Sequence, residues 1–226
     1  MQISDIAHAL TGPIAGVGGI AFILLSSELL WYLRLFKNSE IPRKLVHILT
    51  GVYIAFWPLL MSFAWIQILS ILLLGAVYVS KKWHIFRSIH AVKRVTYGEL
   101  LFPLGVLVAA TFAHSGWVYL AAVLHLSLAD GLAALVGVRY VKKYGYKVFG
   151  QLKTVVGTIV FLATSLGIIM ATMLLDPAAY GSNVLIVLLL LPLCTTVIEN
   201  VGVYGVDNIL VPAVVVTILN SLRAIG

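Results

Sequence analysis

Apolar residues run through this chain in blocks close to the length of a membrane-crossing helix, and short polar stretches separate the blocks. They fall at 6–33, 45–60, 62–79, 99–112, 117–138, 154–175, 183–198 and 209–222. A helix needs about 20 apolar residues to cross the hydrocarbon core, and helices satisfy every backbone polar group within themselves there. The alternating segments of about ten residues that mark a transmembrane barrel are not the pattern here. The blocks predict an all-α fold, a polytopic transmembrane helical bundle of about eight spans, with residues 1–226 as a single domain without repeat or linker.

Composition strengthens this expectation. The 226 residues are 62% hydrophobic and 10% charged, against roughly a quarter charged in soluble domains. Mean hydropathy is +1.08. The first block lacks a basic leader and exceeds the apolar core of a signal peptide, so it is expected to stay as a span. Cys194 stands alone in an apolar run, which excludes a disulfide framework and reads as an inert buried thiol.

Charge orients the bundle. Arg34, Lys37, Arg43 and Lys44 fall in the first connection, Lys81, Lys82, Arg87, Lys93 and Arg94 in the third, and Arg139, Lys142, Lys143, Lys147 and Lys153 in the fifth. Of the 15 Lys and Arg, only Arg223 lies elsewhere. By the positive-inside rule these connections face the cytoplasm, and both termini face the non-cytoplasmic side. The pI of 9.6 is then a topology signal, and with no soluble domain to carry the charge a nucleic-acid partner is not expected. Nothing in the sequence calls for an obligatory protein partner.

Six of the eight acids, Glu28, Glu40, Glu99, Asp130, Glu199 and Asp207, fall on that same side. Carboxylates within or at the edge of spans are costly unless paired, which makes each a candidate for function. The stretch 127–158 is the focus. On an α-helix Asp130 shares a face with Ser127, Ala133, Ala134 and Gly137, small residues that allow either close helix packing or room for a ligand. The cations that follow it, on a loop rich in glycine, suit a polyanion. Arg43, Lys44 and His47 share a face at the start of a helix, a phosphate site or else a membrane-surface anchor. Glu99 opens the fourth span as a catalytic carboxylate or a plain helix cap. Between the last spans, Glu199, Asn200, Asp207 and Asn208 surround glycines, giving hard oxygen ligands for magnesium or an ordinary polar turn. His8, His84, His90, His114 and His125 have no metal-ligand spacing, and no P-loop or dinucleotide fingerprint occurs.

Taken in order, RKLVH at 43–47, YGE at 97–99, ADGLAALVG at 129–137, KTVVGT at 153–158 and the EN and GVDN pieces of 199–208 resemble the CTP-dependent lipid-alcohol kinases: dolichol kinase, phytol and farnesol kinases and fungal-type diacylglycerol kinase. The resemblance covers about 40–212. It implies transfer of the γ-phosphate of CTP, with Mg²⁺ or another divalent metal, to the hydroxyl of a membrane lipid alcohol such as a polyprenol. Asp130 matches the family aspartate, and Lys153, Thr154, Gly157 and Thr158 match its phosphate element, whereas Val156 stands where the family has Glu.

The expected reading is therefore an integral membrane lipid-alcohol kinase with its active site on the cytoplasmic face. Asp130, Glu99 and Lys153 are the catalytic candidates. Arg43, Lys44, His47, Lys153, Thr154, Gly157 and Thr158 are expected to bind the nucleotide phosphates, with the backbone N–H groups of the glycine-rich loop 145–157 approaching them, and Asp130, Glu199, Asp207 and Asn208 to bind the metal. A phosphatidate cytidylyltransferase attacking the α-phosphate of CTP, and an anion transporter, are the alternatives. The one-sided placement of the acids argues against the transporter, whose site is expected near the membrane midplane.

Overall fold

A computed structural model describes residues 3–33, 40–83, 85, 97–176 and 183–223. Helix α1 (Ile3–Tyr32) leads to α2 (Glu40–Ala55) and a 3₁₀ turn at Trp57–Leu59, then α3 (Phe63–Trp83) and α4 (Gly98–Phe112). Helix α5 (Gly116–Leu124) continues through a π-helical turn, His125–Ala129, into α6 (Asp130–Tyr144). A hairpin of β1 (Gly145–Val148) and β2 (Gln151–Thr154) follows, and then α7 (Val155–Leu175), α8 (Val184–Val201) and α9 (Asp207–Arg223). Each apolar block is occupied by helix. Among the described residues, five helices are long and apolar enough to cross a membrane: Leu10–Tyr32, Phe63–Trp83, Gly116–Tyr144, Val155–Leu175 and Val184–Val201. Gly98–Phe112 and Asp207–Leu222 are apolar but shorter. The chain is a membrane protein, and among the described residues its architecture is all-α apart from one small hairpin.

The segment 116–144 is the axis of the bundle. Tyr119, Ala121, Ala122, Val123 and Ala129 are fully buried, because α2, α4, α7 and α9 all pack on it or on the π turn. Small residues make the approach possible: a side chain at Gly51 of α2 would collide with Ser127 of the π turn. In that turn His125 is fully buried, with Nδ1 2.7 Å from the Ala121 carbonyl and Nε2 2.7 Å from Ser165 Oγ of α7. Ser165 in turn lies 3.3 Å from Thr195 Oγ1 of α8, so a chain of buried hydroxyls joins three helices.

Two sequence expectations change here. Ser127 was grouped with Asp130 on one α-helical face, but the π turn intervenes; Ser127 is fully buried and donates to the Val123 carbonyl, while Asp130 is half-buried. The glycine-rich loop expected over 145–157 is instead an antiparallel ribbon followed by the first turn of α7, with Gly145, Tyr146, Lys147 and Val148 opposite Thr154, Lys153, Leu152 and Gln151. Phe149 (φ 45) and Gly150 (φ 80) form its two-residue turn, and this pair of left-handed residues is what matches the twist of a tight hairpin.

Candidate functional site

The start of α2, the middle of the 116–144 segment, the start of α4, the second strand of the hairpin, the start of α7 and the α8–α9 junction converge on a cavity of about 470 Å³. One part is polar. The rest is apolar, lined by Ile20 and Leu24 of α1, Val46 of α2, Leu73 and Val77 of α3 and Phe102 of α4.

Asp130 follows the π turn directly. Its Oδ2 accepts a hydrogen bond from Lys44 Nζ at 2.7 Å and lies 3.3 Å from His47 Nε2. Both partners come from α2, where residues three apart share a face. His47 Nε2 also lies 3.1 Å from the Leu126 carbonyl oxygen. Since both neighbours of that nitrogen accept, it must carry the ring hydrogen. The ring is held edge-on to Phe102 with centroids 4.8 Å apart.

Glu199, in the last turn of α8, is 7% exposed. Lys153 of β2 donates to its carboxylate Oε1 and to its backbone oxygen, each at 2.6 Å. Asp207 opens α9, and its Oδ1 accepts from the Asn208 backbone N–H at 3.2 Å. One oxygen from each of Asp130, Glu199 and Asp207 lies within 4.8 Å of the others. Among the described residues these three form the side-chain group suited to a cation, and their hard oxygens fit a divalent ion such as magnesium. Three carboxylates so close face two ammonium groups in direct contact, which leaves room for further positive charge.

Arg43, Lys44, His47, Glu99, Lys153, Thr154, Gly157, Thr158, Glu199, Asp207 and Asn208 all line the cavity, and Asp130 adjoins it through Lys44. Ala133, Ala134 and Gly137, predicted to share the face of Asp130, line it too. Several of these residues also hold the surrounding structure together. Thr154 caps α7, its hydroxyl accepting from the Gly157 N–H at 3.0 Å. Asn208 donates from Nδ2 to the Gly98 carbonyl at 2.8 Å, tying α9 to α4 beside the carboxylates. Asn200, offered by the sequence as an oxygen ligand, accepts at Oδ1 from the Tyr146 hydroxyl, with Thr158 Oγ1 3.2 Å away.

Of the five cations following Asp130, only Lys153 reaches the cavity. Arg139, Lys142, Lys143 and Lys147 are exposed on the end of α6 and on the hairpin, which run past the start of α7. Of the expected phosphate-binding loop, 145–148 and 151–154 are paired in the β1–β2 ladder and the Gly157 N–H is taken by Thr154. Val156, the departure from the kinase pattern, is not a lining residue. His125 belongs to the core, and Arg34, Lys37, His84, Arg87, His90, Lys93 and Arg94 lie outside the described residues. Sequence reasoning missed Tyr146, Gln151 and Tyr204. The last two line the cavity, and alternation along β2 would have put Gln151 on the face of Lys153 had the strand been recognised. Set against protein-family models, curated proteins and solved structures, the chain matches none.

Proposed function

We propose that this chain is a multi-pass membrane kinase of about eight spans that transfers the γ-phosphate of CTP to the hydroxyl of a lipid alcohol at its cytoplasmic face. The observation that carries this reading is one cavity with two chemistries: three convergent carboxylates with Lys44 and Lys153 at one part, and an apolar lobe between α1, α2, α3 and α4 at another. A polyphosphate suits the first and a hydrocarbon chain the second. The order of motifs shared with the CTP-dependent lipid-alcohol kinases supplies the nucleotide and the acceptor class.

Phosphoryl transfer asks a protein mainly for alignment and charge neutralisation. Lys44, Lys153 and Arg43 neutralise the polyphosphate. A carboxylate of the cluster accepts the proton of the lipid hydroxyl as its oxygen bonds to the γ-phosphorus. The bond from that phosphorus to the bridging oxygen breaks, and CDP leaves with the negative charge. Asp130, Glu199 and Asp207 would hold a divalent metal, whose chemistry is to offset charge on the phosphate oxygens. Apolar side chains of the lobe keep the chain in place and exclude water from the hydroxyl end.

Purified protein incubated with γ-labelled CTP, magnesium and lipid alcohols, including an isoprenoid alcohol and a diacylglycerol, is expected to give labelled lipid phosphate and CDP. Pyrophosphate with a CDP-lipid would replace the kinase by a cytidylyltransferase, and no nucleotide-dependent product with any lipid would overturn both.

A further inference from the structure

Tyr146 carries none of the charge that drew attention to its neighbours, yet its hydroxyl bridges three elements. We infer that Tyr146 is a positioning residue: through Asn200 and Thr158 it holds the hairpin, and with it the Lys153 ammonium, against the Glu199 end of the cavity. This role rests on the function proposed above, in which Lys153 meets the transferred phosphate.

The argument starts from register. Tyr146 and Lys153 are directly opposed across the antiparallel ribbon, so their side chains leave the same face as nearest neighbours. They engage consecutive residues of α8: Lys153 Nζ bonds Glu199, and the Tyr146 hydroxyl bonds Asn200 Oδ1. Bond directions are fixed. Asn200 donates from Nδ2 to the Thr196 carbonyl at 3.1 Å, so Oδ1 is the atom turned toward the hairpin. Tyr146 therefore donates to Asn200, and its lone pairs face Thr158 Oγ1 at 2.7 Å. Thr158 therefore donates to Tyr146, and because it lies in the first turns of α7 this contact ties β1 to α7 as well as to α8.

A two-stranded ribbon has little stability of its own in water and depends on what it docks against. The ion pair of Lys153 with Glu199 cannot serve as the permanent anchor if the ammonium must turn to a phosphate. The Tyr146 contact is uncharged, its Tyr146 and Asn200 ends lie outside the cavity lining, and it can persist while Lys153 changes partner. It fixes the strand so that the lysine moves by side-chain rotation alone.

Tyr146→Phe removes one oxygen and keeps the ring. In the γ-labelled CTP assay it is expected to raise the KM for nucleotide about tenfold while leaving the KM for the lipid alcohol unchanged. Asn200→Ala is expected to do the same and serves if the first variant does not fold. The double variant should rise no further than either single one, because both remove one contact. With transfer by the unaltered protein in hand, an unchanged nucleotide KM, an equal rise in both KM values, or additive effects in the double variant each overturn the role of Tyr146 and leave the kinase reading standing. Absence of transfer by the unaltered protein overturns that reading first.

Discussion

Lys44 and Lys153 each grip a carboxylate of the cluster, and each ion pair is only partly shielded, with side chains 9–17% exposed. That partial exposure decides what a substitution would do. Breaking a fully buried pair leaves an uncompensated charge and costs about 3–5 kcal/mol. Here Lys44 lines an open cavity and can be hydrated once its partner is gone. Asp130→Asn should therefore leave the thermal unfolding midpoint near that of the parent protein while turnover falls by about 100-fold or more, as the loss of a group acting in transfer does. Thermal unfolding and a magnesium titration of turnover on the same preparation check it. A stable variant with undiminished turnover and unchanged magnesium dependence would return Asp130 to a structural ion pair. At this scale charge made the cluster legible: Asp130, Glu199, Asp207, Lys44 and Lys153 converge although 86 positions separate Lys44 from Asp130, whereas the equally charged Arg139, Lys142, Lys143 and Lys147 stay outside the cavity. It was silent on Tyr146, whose importance comes from a cross-strand partner that only the hairpin register supplies.

Among the elements, the hairpin and the π turn do most to place those residues, and neither was legible. A strand signal at 145–154 is hidden by its lysines and glycines, since four-residue strands give too little alternation to stand out. The π turn has no sequence signature; it follows from the packing of His125, Ser165 and Thr195 across three helices. By contrast most helical blocks were legible to within about a turn of their ends, because apolar length is the quantity a bilayer selects, while α2 begins and ends five residues ahead of its block and the axis helix runs six residues past 138. The hairpin turn offers a clean test of its geometry. Gly150 has φ +80 and open space where a side chain would go, so Gly150→Ala meets no clash and only the backbone penalty remains. A left-handed alanine costs about 1–2 kcal/mol. Amides of 145–154 should exchange hydrogen about tenfold faster in the variant, with the amides of the 116–144 axis unaffected. Unchanged exchange across the hairpin would contradict the left-handed turn.

For the molecule as a whole, the cations set a direction that helix length alone cannot. The proposed topology puts Lys82 and Lys147 on the cytoplasmic side and Ser115 on the opposite one. Cysteines introduced at Lys82 and Lys147 in a Cys194→Ser background should react with an impermeant reagent only after the cytoplasmic face is opened, and one at Ser115 should react from outside. Labelling of all three from one side would reverse the argument for a cytoplasmic nucleotide. The two ion pairs carry a consequence at the same scale. In the protein alone, lysines already sit on two of the three carboxylates that a divalent cation would use, and carboxylates already hold two of the cations that a polyphosphate would use. Loading the site is then a double displacement. A metal arriving alone must draw the ammonium groups off their carboxylates with only water to replace them, and a polyphosphate arriving alone must leave three anions uncovered. Arriving together, each accepts what the other releases. Magnesium and a non-hydrolysable triphosphate should each strengthen the binding of the other by the same factor, about tenfold or more. Calorimetric titration of each in the presence and absence of the other measures that factor, and equal affinities in both conditions would mean that the lysines are fixtures of the fold rather than stand-ins for the ligands.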